Sequence, residues 1–205
     1  TDPWGSLPRS IEKASLPFGN SLRDVTLFAG ECGWFESQAP GLRPTPEGTP
    51  TTMQTFLPYP DFEASARALD QRRLGKQRVE CIQVLRGLIR PGYGWRHHPA
   101  VKMWKGYEEA LARYAFTCCE VWVERGFGDT CAATIAADLA EHGITNVRTQ
   151  AELSAAGALP SWLGDPAFHR SHQSSLVRKD PEFYGPLFPG VPDDLEYVWP
   201  VRRPA

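Results

Sequence analysis

The sequence lacks several features that define large classes of proteins. Its 205 residues contain no apolar run of the roughly 18–20 residues that a membrane-spanning helix needs. The opening TDPWGSLPRS has neither the basic start nor the apolar stretch of a secretory signal peptide. The five cysteines include no CxxC pair, so neither a disulfide framework nor a zinc finger is indicated. We therefore expect a cytoplasmic protein with reduced thiols.

Common nucleotide-binding and hydrolase signatures are also missing. No Walker loop, GxGxxG, GxSxG or HExxH motif occurs. The net charge of −2 lacks the basic excess typical of nucleic-acid binders, and acidic and basic residues are equal in number over residues 53–205. A surface that binds phosphates would therefore be a local patch whose affinity depends only modestly on salt.

The chain divides into two regions near residue 53. Residues 1–52 show little periodicity and end in GLRPTPEGTPTT, so we interpret them as a poorly structured extension or linker. Residues 53–205 show helical periodicity and no strand alternation, which predicts a single compact all-α domain. Its last residues are rich in aromatics and proline, and they are predicted to form an irregular tail that wraps the helices.

Capping residues and apolar spacing predict the helices of this domain. The clearest is a central core helix that begins at Pro99, carries an apolar stripe of about six turns and ends with a C-cap at Gly126. Residues before Pro60 are predicted to be extended. The remaining helices are expected near residues 61–69, 70–89, 129–142 and 165–179.

The first group of candidate functional residues lies in RRLGKQRVE, residues 72–80, on the second of these helices. Helical spacing places Arg73, Lys76, Gln77 and Glu80 on one face. Cations there can hold phosphates, while a carboxylate can stabilise positive charge on a sugar or act as a general base. The same pattern is also typical of a solvated helix face with a Lys76–Glu80 ion pair.

A second group lies in GYGWRHHPAV, residues 92–101, a glycine-rich loop that leads into a helix N-terminus. Trp95 and His98 can stack on bases or wedge into a duplex, and Arg96 can bind a phosphate. The alternative is that Trp95 belongs to the core and that His98 merely precedes a proline.

The third group consists of basic and imidazole side chains on the helix that ends near residue 179. Phosphate contact is the favoured interpretation for Arg170, His172, Arg178 and Lys179. His169 and His172 are spaced like metal ligands, but no Asp, Glu or Cys at ligand spacing completes such a site. A basic last turn also complements the helix dipole without any further function.

Four segments, MQTFLPYPD (53–61), LDQRRLGKQRVE (69–80), GWRHHPAV (94–101) and RKDPEFYG (178–185), carry a family resemblance. Together they resemble the bacterial branch of the pyrimidine-dimer DNA glycosylases of the endonuclease V type. The resemblance implies an all-α enzyme that cuts the glycosyl bond of a damaged pyrimidine in double-stranded DNA and then nicks the strand. It implies no metal and no organic cofactor.

In that family the α-amine at the chain start attacks C1′ of the sugar, and a glutamate supports the charge that develops. Glu80 matches the position of that glutamate, and Arg73, Lys76 and Arg78 correspond to the phosphate-contacting surface. Met53 would supply the amine if the native chain starts there, since an α-amine of pKa near 8 is partly free base at neutral pH. Otherwise Lys76 replaces it, or Glu80 activates water and no nick follows.

The leading hypothesis is thus a monomeric DNA-repair glycosylase in the cytoplasm, associated with the nucleoid and acting on damaged or modified bases. Two other functions stay open. One is a non-catalytic nucleic-acid-binding module on the same scaffold, because a fold alone does not determine a function. The other is an N-glycoside hydrolase that acts on other modified bases or on nucleosides.

Overall fold

The structure, a computed structural model, describes residues 53–200 as eight helices without a strand. The predicted extension, residues 1–52, lies outside the described residues, and the domain boundary at residue 53 stays a prediction. The all-α prediction is confirmed. Within residues 53–200, no helix has both the length and the apolar character to cross a membrane. The helices are α1 (Phe62–Ala68), α2 (Gln71–Ile89), α3 (Pro99–Trp104), α4 (Glu108–Glu124), α5 (Cys131–Ala140), α6 (Gln150–Ala155), α7 (Pro166–Lys179) and α8 (Pro181–Tyr184).

Helices α2 and α4 form the centre of the core, with α1 and α6 packed on α4, α3 on α2, and α5 on both. Leu74 and Leu85 of α2 and Leu111 of α4 are completely buried. Each such side chain contributes about 1.5–3 kcal/mol by leaving water. Cys81 and Cys118 are buried, and burial raises the pKa of both thiols. They therefore pack as small apolar side chains.

The prediction of one long helix from Pro99 to Gly126 is wrong, because two helices occupy this range. Helix α3 ends at Trp104, and α4 begins at Glu108. Gly106 between them has a φ of 84°, a left-handed conformation that a continuing α-helix does not contain. The apolar spacing continues across this turn, which is why periodicity alone did not reveal it. The predicted end of this helix is confirmed, although the C-cap residue is Arg125 and Gly126, with a φ of 87°, is the left-handed residue that follows it.

The four remaining predicted helices are confirmed as α1, α2, α5 and α7. Asp61, Asp70 and Asp165 each accept a hydrogen bond from an N–H group in the first turn of the following helix. Helix α6 was not predicted, although Thr149 and Glu152 form a capping box whose T-x-x-E spacing is visible in the sequence. The one-turn helix α8 was also missed.

The first and last described segments are not helical, as predicted. Residues 53–58 are buried within the domain. The tail beyond α8 runs back over α7, where the Arg178 guanidinium donates to the carbonyl oxygens of Asp193 and Leu195 at 2.5 and 2.6 Å. The Tyr197 hydroxyl then donates to the Thr55 carbonyl oxygen at 2.9 Å. The tail thus connects α7 to the buried segment 53–58.

Candidate functional site

Side chains from several helices bind the backbone of residues 53–58. Gln77 of α2 accepts from the Phe56 N–H at 2.8 Å and donates to the Gln54 carbonyl at 3.1 Å. His172 of α7 accepts from the Leu57 N–H at 3.0 Å. Buried backbone groups need partners, and here side chains supply what a neighbouring strand would supply. These contacts fix residue 53 relative to α2.

Glu80 lies beside the start of this segment. Its Oε1 accepts from the Gln54 N–H at 3.4 Å and lies 3.3 Å from Nζ of Lys76. The Glu80 side chain is 6% exposed and that of Lys76 is 54% exposed, so the carboxylate forms the floor of the site and Lys76 its rim. The Lys76–Glu80 pair is the one that helical spacing predicted, but Glu80 is buried rather than solvated.

Burial raises the pKa of the Glu80 carboxyl, while Lys76, the Gln54 N–H and Lys179 lower it by a smaller amount. A buried carboxyl group with a raised pKa and a cationic partner is characteristic of functional sites. As a carboxylate it can stabilise a cation that develops on a sugar, and it can also accept a proton as a general base.

Lys179, the last residue of α7, completes a cationic rim around Glu80. Its Nζ lies 5.7 Å from the centre of the Phe56 ring. Burial lowers the pKa of Lys179, and the nearby cations Lys76 and Arg73 lower it further. The amines of Lys76 and Lys179 thus lie around the single carboxylate of Glu80, in a chain whose net charge is −2. Phosphate binding by a chain of this composition would need a local cationic group of this kind.

An open groove lies next to this rim on the outer face of α2. Its floor is formed where Gly75 meets the ring of Trp122, so closely that a Cβ on residue 75 would lie 3.2 Å from the ring. Gly75 is therefore a close-packing position rather than a flexible one. The groove is lined by Asp70, Gln71, Arg72, Gly75, Lys76 and Trp122.

The predicted phosphate contacts differ in their surroundings. Arg73 connects α2 to the end of α7, because its guanidinium lies 2.5 Å from Asp70 and donates to the Lys179 carbonyl at 2.9 Å. Arg96 is exposed in the loop before α3. Arg170 and Arg178 are exposed on α7 and donate to carbonyl groups of the tail, which leaves part of each guanidinium on the surface.

Two residues that were predicted to contact nucleic acid are buried instead. Arg78 forms an ion pair with Asp129 and lies 4.0 Å over the ring of Trp122. His172 is completely buried and stacks on Tyr197 at 4.2 Å. The Arg78 side chain is only 10% exposed and His172 is not exposed at all, so neither fits a phosphate contact. Helical spacing alone could not show that the loop before α5 covers Arg78 and that the tail covers His172.

The two histidines with metal-like spacing bind backbone rather than a metal. His169 Nε2 accepts from the Gly164 N–H at 2.9 Å, so its Nδ1 carries the proton that the Leu57 carbonyl accepts at 2.8 Å. Burial lowers the pKa of His172 to about 3. Within residues 53–200, no group of three or more His, Cys, Asp or Glu side chains is arranged to hold a metal ion.

A row of aromatic rings leads from the surface to the buried segment. Trp95 is 41% exposed and lies 5.5 Å from His98, whose ring lies 5.8 Å from that of Trp199. Trp199 contacts Tyr197 at 4.5 Å, and Tyr197 binds Thr55. Trp95 is therefore a surface residue and not part of the core, while His98 is half-buried. Trp199 and Tyr197 were not predicted, because an irregular tail has no periodic signal.

Comparison with known proteins gives one match. Residues 53–135 match the family model for pyrimidine dimer DNA glycosylase. The matched range contains Met53, Lys76 and Glu80 and ends within α5, so α7 with Lys179 lies outside it. No curated protein and no solved structure matches the chain.

Proposed function

We propose that the chain excises damaged pyrimidines, such as cyclobutane dimers, from double-stranded DNA, because residues 53–135 match the family model for pyrimidine dimer DNA glycosylase. The observation that carries the proposal is the contact of Glu80 Oε1 with the Gln54 N–H at 3.4 Å. It keeps a buried carboxylate one residue away from the nitrogen of Met53. Assignment to the bacterial branch of the family stays a prediction.

Glu80 is the catalytic carboxylate in this proposal. As the glycosyl bond breaks, positive charge develops on the sugar, and a fixed carboxylate in a water-poor site stabilises it more than a solvated one does. The same group can then accept a proton from C2′ during elimination. Its burial and its position beneath the cationic rim suit both roles.

Three sources of the attacking group fit this arrangement. The α-amine of Met53 would lie next to Glu80 in a chain that begins there. Lys76 reaches the same carboxylate from the rim, at 3.3 Å. Water activated by Glu80 is the third, and it would release the base without nicking the strand. An amine, by contrast, forms an imine that permits strand nicking.

Exposed residues at the rim, on α7 and in the loop before α3 are proposed to supply the DNA contacts. A base must leave the stack to be attacked, and the exposed ring of Trp95, backed by His98, can fill the space that the base vacates. Phosphate contacts are assigned to Lys76, Arg96, Arg170, Arg178 and Lys179. We expect the protein to act as a monomer in the cytoplasm, associated with the nucleoid.

Base release from several substrates tests the function. Duplex DNA with and without ultraviolet damage, RNA and free nucleosides are each incubated with the protein, and released bases are separated by chromatography. Damage-dependent release from duplex DNA is expected. Damage-dependent binding without release would favour the non-catalytic binding module. Release from RNA or nucleosides alone would favour an N-glycoside hydrolase of another kind.

A further inference from the structure

We propose that Lys179 is the amine that forms the imine with C1′ of the substrate sugar when residue 53 is preceded by a peptide bond. This inference rests on the proposed function. In the sequence Thr52 precedes Met53, so the Met53 nitrogen is an amide nitrogen whose lone pair is delocalised and unavailable for attack. Formation of an imine then needs an amine from a side chain beside Glu80.

Backbone contacts hold Lys179 at this site. Its carbonyl accepts from the Arg73 guanidinium at 2.9 Å, and Arg73 in turn lies 2.5 Å from Asp70, the cap of α2. The last turn of α7 is thereby tied to the first turn of α2. The Lys179 side chain extends over the Phe56 ring, two residues from the Gln54 N–H that binds Glu80.

The two lysines of the rim are not equivalent. Lys76 Nζ forms an ion pair with Glu80 at 3.3 Å, whereas no carboxylate among residues 53–200 lies within ion-pair distance of Lys179. Burial and the neighbouring cations lower the pKa of Lys179, and Glu80 opposes this only in part. Desolvation together with adjacent positive charge is a known way to activate a lysine nucleophile. Lys179 remains exposed, so a sugar can reach it.

The reaction balances with the Lys179 amine, the Glu80 carboxylate and water as the participating groups. The lone pair of the neutral Lys179 amine forms a bond to C1′, and the glycosyl bond breaks with its electron pair leaving on the base, which takes up a proton. The sugar ring opens as the nitrogen loses a proton and O4′ gains one, which gives the imine. Loss of a C2′ proton to Glu80 then expels the 3′ phosphate, and water hydrolyses the imine to restore the amine.

Borohydride trapping on duplex DNA with an abasic site tests the assignment independently of the lesion. The full chain is compared with Lys179→Arg, which keeps the positive charge but forms no imine. Lys105→Arg, at an exposed position outside the site, is the matched control, and Lys76→Arg tests the other rim lysine. Trapped protein from the unaltered chain is also digested, and the modified peptide is identified by mass spectrometry.

The expected result is a trapped adduct on the peptide that contains Lys179, with a yield more than about 100-fold lower in Lys179→Arg alone. An adduct on Lys76 or another amine, or no adduct with the full chain, overturns the inference. Base release from damaged duplex is measured in parallel. Base release without a trapped adduct contradicts Lys179 as the nucleophile but not the glycosylase function. A Lys179 adduct without base release supports Lys179 as the imine-forming amine and contradicts damaged pyrimidines as the substrate.

Discussion

The side-chain amide of Gln77 binds the backbone of Phe56 as a neighbouring strand would, accepting from its N–H at 2.8 Å. The same amide donates to the Gln54 carbonyl at 3.1 Å, and no part of the Gln77 residue is exposed. One turn further along α2, Glu80 accepts from the Gln54 N–H. Helix α2 therefore positions the segment and supplies the carboxylate in a single rigid element.

Replacing Gln77 with methionine tests this arrangement. The variant leaves a buried donor and a buried acceptor without partners, so the free energy of unfolding should fall by about 2–5 kcal/mol. Urea unfolding measures the change. Gln83→Met, at a half-buried position of the same helix, is the control. Equal stability of the two variants would show that Gln77 does not hold the segment.

His172 should make the stability of the fold depend on pH. Its pKa is near 6.5 when the chain is unfolded and about 3 in the fold, so the unfolded state binds more protons below pH 6.5. Stability from this residue is fully present above pH 6.5 and is lost as pH falls towards 3, by up to about 1.4 kcal/mol per pH unit. His169, whose pKa burial also lowers, and Tyr197 are the titratable groups that face it.

His172→Asn separates this contribution from the other groups, because an Asn oxygen can still accept from the Leu57 N–H. Denaturant unfolding at pH 7 and pH 5 should show a smaller loss of stability in the variant than in the unaltered protein. The difference should be roughly 2 kcal/mol, from 1.5 pH units below the unfolded pKa. If both proteins showed the same pH dependence, His172 would not be held neutral by burial in the folded protein.

Arg78 should affect folding rather than DNA binding. Arg78→Met leaves the Asp129 side chain, which is only 4% exposed, as an unpaired buried charge. The expected loss is about 3–5 kcal/mol in the free energy of unfolding. Arg78→Met combined with Asp129→Asn should recover part of it, as measured by thermal unfolding. A stable Arg78→Met protein with weakened DNA affinity would restore the original prediction of a phosphate contact.

The acid limb of the pH–rate profile should report Glu80. Burial raises the pKa of this carboxyl, so activity that needs the carboxylate should be lost at a higher pH than for a solvated glutamate. Lys76→Met removes a cation that lowers this pKa. The acid limb of the plot of kcat/KM against pH should therefore move to still higher pH in this variant. Lys105→Met is the control. A limb that does not move in Lys76→Met would contradict the assignment.

Local signals in the sequence predicted the helices that have strong ends. Asp70 and the Arg-Pro-Gly after Ile89 mark both ends of α2, and that helix was predicted correctly. The break at Gly106 was missed because the apolar spacing on either side remains in phase. Periodicity shows which faces of a helix are apolar, but it does not reveal a turn that keeps the same faces buried.

The candidate site was only partly predictable for a different reason. Lys76 and Glu80 are one turn apart, so helical spacing paired them correctly. Lys179 approaches Glu80 from α7, about a hundred positions along the chain, and no local pattern encodes such a contact. Likewise His172 looked like a surface cation because its cover, Tyr197, comes from the irregular tail.

The role of Glu80 can be measured directly on a duplex with a single cyclobutane dimer. Glu80→Gln removes the charge but keeps an oxygen that can accept from the Gln54 N–H. Glu120→Gln, at an exposed position of α4, is the control. Under single-turnover conditions, with equal folding confirmed by thermal unfolding, glycosyl bond cleavage by Glu80→Gln should be slower by about 10²–10⁴-fold. Cleavage by Glu80→Gln as fast as by the control would contradict the proposed role of Glu80.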